Sequence, residues 1–154
     1  MPQIILGFSH HPNKLISRLA KWGMRGNYSH VMMLEPDGRR YIEASGTSKP
    51  PGVQIRDLAE FFASRPEWEF RTVEHPDPKA VWDIACSFEG ALYDWWYWPS
   101  WLLRMPSLQD TEKFVCNELI LESCVLGGKS PFPHDIERTY TTPQDWYHVS
   151  QPLE

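Results

Sequence analysis

Cys116, in Phe114-Val115-Cys116-Asn117-Glu118-Leu119-Ile120-Leu121, combines a nucleophile-grade side chain with a setting that could activate it. An apolar lead-in runs directly into a helical pattern, so the thiol falls in the first helical turn. There the unpaired backbone N–H groups and the positive end of the helix dipole favour a thiolate. A thiolate nucleophile needs a base, and His30 supplies one at the head of the strand-like run His30-Val31-Met32-Met33-Leu34. Glu43, in the next strand-like run, offers a carboxylate to orient the imidazole. These types together suggest acyl-transfer chemistry: His30 takes the thiol proton, Glu43 holds the ring, and Cys116 attacks a carbonyl. The Cys116 backbone N–H is the natural first donor to the resulting oxyanion. Tyr93, in Gly90-Ala91-Leu92-Tyr93-Asp94, is either a second donor through its phenol or a core-packing ring. This chemistry requires no metal or organic cofactor.

The elements that must position these groups are readable as patterns. Gln3 to Phe8 predicts a buried strand, followed by a break and an amphipathic helix. That helix carries Leu15, Ile16, Leu19 and Trp22 on one face and Lys14, Arg18, Lys21 and Arg25 on another. The basic stripe reads either as a solvated face or as a surface for an anionic partner. Two strands, His30 to Leu34 and Arg39 to Ser45, are joined by Glu35-Pro36-Asp37-Gly38. Further strands are expected at Gly52 to Ile55 and Trp68 to Glu74, and helices at Asp57 to Ser64 and Pro78 to Glu89. The Cys116 helix should end at Gly127-Gly128. Strands come mostly first and helices mostly later, which predicts a single α+β domain.

Whether His30 and Glu43 meet depends on the register of one hairpin. Pairing Leu34 with Arg39 sets His30 opposite Glu43, within reach of an imidazole–carboxylate hydrogen bond. A type I turn with a glycine bulge would instead pair Glu35 with Arg39, oppose His30 to Ala44 and turn Glu43 to the other face. Turn chemistry slightly favours the second register, and side-chain chemistry the first.

Bulk composition narrows the function classes. The chain has 154 residues, 42% of them apolar, enough for one domain with a real core. A net charge of -5 argues against a sequence-independent nucleic-acid binder. No apolar run approaches the length needed to span a bilayer, and no basic region precedes an apolar stretch at the N-terminus, so the expected location is cytoplasmic as made. Three cysteines without C-x-x-C spacing suit neither a disulfide framework nor a closed zinc site. Cys116 and Cys124 sit roughly 12 Å apart along one helix, beyond disulfide reach. Cys86 and Cys124 read as small buried hydrophobes. Four tryptophans crowd between Trp95 and Trp101. Consecutive aromatics cannot all point inward, so about half of these rings are expected in the core and the others at the surface, where they could line a groove for acyl chains, sugars or a peptide.

In these pieces the chain resembles the circularly permuted NlpC-like, papain-fold cysteine amidases of the YiiX/YaeF-like group. The matching segments are Tyr28 to Leu34, Tyr41 to Ser45, Gly52 to Ile55, Gly90 to Asp94, Phe114 to Leu119 and Thr142-Pro143, in family order. Histidine before cysteine is the permuted order. The resemblance implies a small antiparallel barrel-like sheet packed against the cysteine helix. It further implies activity on amide, peptide or related acyl bonds, with Cys116 as nucleophile, His30 as base, Glu43 as orienting acid and Tyr93 as an auxiliary. It favours the register that opposes His30 to Glu43. Asn117 stands where such proteins often carry serine. The expected partner is therefore a peptide, amide or acyl substrate, such as a cell-wall fragment or a lipid. Two other functions use the same residues or fold: a lipid thioesterase or acyltransferase, and a non-catalytic binding module.

Overall fold

The computed structural model describes residues 2–9, 22, 26–64, 68–108, 110, 112–132 and 141–153, without the side chains of positions 64, 98, 101, 102 and 106. Its strands are β1 (Gln3–Ser9), β2 (His30–Leu34), β3 (Arg40–Ser45), β4 (Gly52–Asp57), β5 (Trp68–Glu74) and the short β6 (Gln151–Pro152). Its helices are α1 (Leu58–Ser64), α2 (Pro78–Ser87), α3 (Tyr97–Leu103), α4 (Cys116–Leu126) and α5 (Pro143–Val149). The strands form one antiparallel sheet in the order β4-β3-β2-β1-β5-β6, so the domain is α+β as expected. The expected amphipathic helix, with its basic Lys14, Arg18, Lys21 and Arg25, lies outside the described residues except for Trp22, which is exposed.

Both faces of the sheet are covered, which explains why β2 reads as a continuous apolar run rather than a clean alternation. Ile4, Leu6, Phe8, Val31, Met33, Ile42, Ala44, Val53 and Val73 pack with residues of α2 and α4. On the other face Met32, Leu34 and Tyr41 pack with Leu58 and Phe61 of α1. The alternation of side chains along each strand produces these two layers.

The β2–β3 hairpin corrects both expected registers. Met33 pairs with Ile42 and Leu34 with Tyr41, and the Glu35 N–H donates to the Arg40 carbonyl at 2.9 Å. The loop is thus Pro36–Arg39, one residue longer than the glycine-bulge turn and equal in length to the Glu35–Gly38 loop of the other register. Gly38 adopts φ 73° inside it, where a side chain would be strained. A two-pronged ion pair between the Arg40 guanidinium and the Glu35 carboxylate fastens the first rung. Relative to the register that opposes His30 to Glu43, the shift is two residues, and side-chain direction repeats every two. His30 and Glu43 therefore stay on one face, as diagonal rather than direct neighbours.

β4 is held at the site's end by Gly52. This glycine sits at φ 144°, and a Cβ there would lie 2.2 Å from the Ala91 carbonyl oxygen. The same contact region carries the Val53 N–H to the Ala91 oxygen at 2.8 Å and the Gly90 N–H to the Val53 oxygen at 3.0 Å. Gly52→Ala should destabilise the fold by about 2–4 kcal/mol, since backbone rather than a flexible side chain must move. Chemical denaturation would read this as a lower midpoint; a midpoint equal to wild type would contradict it.

Two helices were not expected. α5 starts with Thr142 as N-cap, its hydroxyl and Asp145 satisfying each other's backbone N–H groups, with Pro143 in the first turn. Thr-Pro-Gln-Asp carries that signal in the sequence. α3 rises from the aromatic segment, with Pro99 in its first turn, where a missing N–H costs nothing.

Candidate active site

The site lies at one end of the sheet. Ser9 ends β1 and pairs with His30, the first residue of β2, and with Trp68, the first residue of β5. These three form the last rung, and the small Ser9 between them lets the His30 and Trp68 rings meet edge to face, 5.8 Å apart. The first residue of α4 reaches the imidazole there.

Cys116 begins α4 after Val115, an N-cap in extended conformation with φ -102° and ψ 169°. The Glu118 carboxylate reaches back to accept the Val115 N–H at 3.2 Å, which stabilises the helix start. The lead-in is clamped on its other side. Tyr93 bridges to Phe114 in parallel, the Phe114 N–H donates to the Leu92 carbonyl, and the Asp94 N–H donates to the Phe114 carbonyl, both at 3.1 Å. Gly128, at φ 102°, ends the helix beyond the Gly127 C-cap.

His30 Nε2 lies 2.6 Å from Glu43 Oε2. Cys116, at the start of α4, is the other group that acts on the ring. Burial opposes the charged ring. Cys116 and Glu43 together overcome it and lift the imidazole from its ordinary 6.5 to about 10. Glu43 is almost fully buried, and Arg56 Nε stands 3.9 Å from its other oxygen. The Arg56 guanidinium is held in turn by the Gln54 side chain. The carboxylate thus has a cation or potential cation on each oxygen, which compensates its burial.

No protein-family model matches this chain, and no curated protein does.

The structure brings Cys116, His30 and Glu43 together. Tyr93 is placed beside them through its backbone bridge to the Cys116 lead-in, and its ring packs 4.9 Å from Trp95. Both rings cover Gly46, just past the end of β3, where a Cβ would come within about 3 Å of each. Cys124 is fully buried, and burial pushes its thiol up to about 12. Cys86 differs from expectation in being only partly buried, packed against the core at the end of α2. Among the aromatics, Tyr97 is buried while Trp95 and Trp96 are exposed, the mixture expected; Trp98 and Trp101 lie outside the described side chains.

Sequence reasoning missed Trp68, Ser9, Arg56, Thr141 and the part played by Asn117. Trp68 and Ser9 join the site only through strand pairing across β1, β2 and β5. Arg56 meets Glu43 from the neighbouring strand. Asn117 was visible only as the residue after the cysteine. Its side chain is buried, with Nδ2 donating to the Thr141 carbonyl at 2.6 Å. Among the described residues, no helix is long and apolar enough to cross a membrane.

Proposed function

We propose that this chain is a cysteine hydrolase that cleaves an amide or peptide bond through an acyl-enzyme on Cys116, on a circularly permuted papain-like domain. The observation that carries this reading is the His30 imidazole held 2.6 Å from a buried carboxylate, with Cys116 near enough to raise its pKa. In the proposed cycle His30 takes the thiol proton before substrate arrives, the Cys116 thiolate attacks the carbonyl carbon, and the oxyanion is received by the Cys116 backbone N–H. The imidazolium then donates its proton to the departing nitrogen as the C–N bond breaks, leaving a thioester. Water, deprotonated by the now neutral His30, attacks that thioester. The acid departs, and the thiolate–imidazolium pair is restored. Glu43 holds the ring tautomer and balances its positive charge throughout. Tyr93 is the candidate second oxyanion donor. The substrate class would include the peptide stems of cell-wall fragments.

A second reading, a lipid thioesterase or acyltransferase using the same three residues, is favoured by the exposed Trp95 and Trp96 beside the Cys116 lead-in. Turnover of peptidoglycan fragments against acyl esters separates the two. An acyl-donor activity probe should label Cys116 and not Cys86 or Cys124, and mass spectrometry of the trapped group would report the substrate class. Absence of labelling at Cys116 across amide and ester probes would overturn both enzymatic readings and leave a binding module.

A further inference from the structure

The Cys116 sulfur has a second polar neighbour besides His30. Asn117 Oδ1 lies 3.8 Å from Sγ, at the long end of the range for a thiol donating to an amide oxygen. The amide cannot present its other end. Its Nδ2 donates to the Thr141 carbonyl at 2.6 Å, to Thr141 Oγ1 at 3.1 Å and to the Tyr97 hydroxyl at 3.3 Å. The Tyr97 hydroxyl proton is itself directed at the Thr141 carbonyl. Only the nitrogen can face a carbonyl oxygen as a donor, so the orientation of the amide is decided and Oδ1 must turn toward the sulfur. Asn117, Thr141 and Tyr97 are all buried, so no solvent competes for these bonds.

Thiol and thiolate therefore meet different neighbours. The protonated imidazole of His30 favours a thiolate beside it. The amide oxygen can accept from S–H but has nothing favourable to offer S⁻, because its lone pairs face the negative sulfur. A hydrogen bond made only to the neutral form disfavours the charged form. We infer that Asn117 is a positioning residue that restrains Cys116 by favouring its protonated thiol over the thiolate. The strength of this restraint is set from outside the cysteine helix. Thr141 directly precedes the N-cap of α5, and Tyr97 opens α3, so the docking of these two helices determines where Oδ1 points. This inference rests on the reading of Cys116 as the nucleophile.

Alkylation by iodoacetamide tests it without needing the substrate. The full chain is treated between pH 5.5 and 9, and Cys116 is followed by peptide mass spectrometry to separate it from Cys86 and Cys124. At pH 6, Asn117→Ala and Asn117→Ser should alkylate about threefold to tenfold faster than wild type, the size of one net hydrogen bond. Thr141→Val supplies the structural control: it removes the Oγ1 acceptor, keeps the carbonyl and leaves Oδ1 on the sulfur. It should lower the melting temperature while keeping the wild-type alkylation profile. The serine variant, which keeps a polar group in the space, carries the test if the alanine variant does not fold. Variants of Asn117 that alkylate at or below the wild-type rate at pH 6 would overturn the inference while leaving the nucleophile reading intact. Failure of Cys116 to alkylate in every chain across the pH range would overturn both.

Discussion

Cys116→Ala should reduce turnover by about four orders of magnitude or more, to the level that binding and backbone donors alone can support. No other side chain among the described residues can replace the sulfur. Cys124 is fully buried eight positions along the same helix, and Cys86 lies on α2. The substitution removes one buried atom at the start of α4 and leaves intact the Glu118 contact to the Val115 N–H that stabilises the helix start. Stability should therefore fall by only about 1 kcal/mol. Thermal denaturation beside a steady-state assay on the true substrate checks both halves. Full activity in a well-folded Cys116→Ala protein would refute the nucleophile assignment, and an unfolded variant would refute the packing account.

The second large effect is expected from Glu43→Gln, roughly 10²- to 10⁴-fold in kcat/KM, less severe than loss of the nucleophile. The isosteric amide preserves volume in a site where Glu43 is buried, but it removes the charge that balances imidazolium. A pH signature separates this from simple loosening. In the wild-type chain His30 keeps its proton to about pH 10, because Cys116 and Glu43 outweigh burial. Its leaving-group proton is therefore available until the pH passes that value, and the alkaline limb of the rate profile should fall near pH 10. In Glu43→Gln burial opposes the charged ring with only Cys116 against it, so the limb should move to lower pH. An unmoved limb would rule out Glu43 as the group that sustains the charge. Stability carries the same sign. The folded protein binds the His30 proton more tightly than the unfolded chain does, so this contribution is full below about pH 6.5 and is lost as the pH rises through about 10. Glu43→Gln should flatten that loss in a pH series of melting temperatures.

Exposure of the aromatic segment bears on substrate choice. Trp95 and Trp96 project from the turn that precedes α3, while the next aromatic, Tyr97, is buried and tied to Thr141. Asp94 fastens that turn by accepting the Trp96 N–H at 2.9 Å. One short stretch thus serves the core and the surface beside the Cys116 lead-in. On the proposed function, two exposed indoles there would give an acyl or peptide substrate an apolar, flat contact.

Strong, local signals were legible in the chain. Alternating or continuous apolar runs located β1 to β5 to within a residue or two, because burial on the two faces of a sheet dictates residue type directly. The Cys116 helix began at the cysteine and ended before paired glycines, as its lead-in and C-cap required. Cys116, His30 and Glu43 could be singled out by residue type alone, since few side chains can act as nucleophile, base and orienting acid.

Register was not legible, because two turns of similar local energy competed and neither was the one adopted. The Glu35–Arg40 pair and the Pro36–Arg39 loop decided it, and an even displacement happened to preserve the face on which His30 and Glu43 meet. Sequence by itself determined which chemistry this chain could carry and which elements would hold it, for periodicity and residue type are local properties. Only the tertiary structure decided that sulfur, imidazole and carboxylate converge at one end of the sheet, that Trp68 and Arg56 complete their surroundings, and that the Asn117 amide turns its oxygen toward the thiol. Those outcomes depend on strand order and helix docking between residues up to scores of positions apart, where no neighbouring residue records the contact.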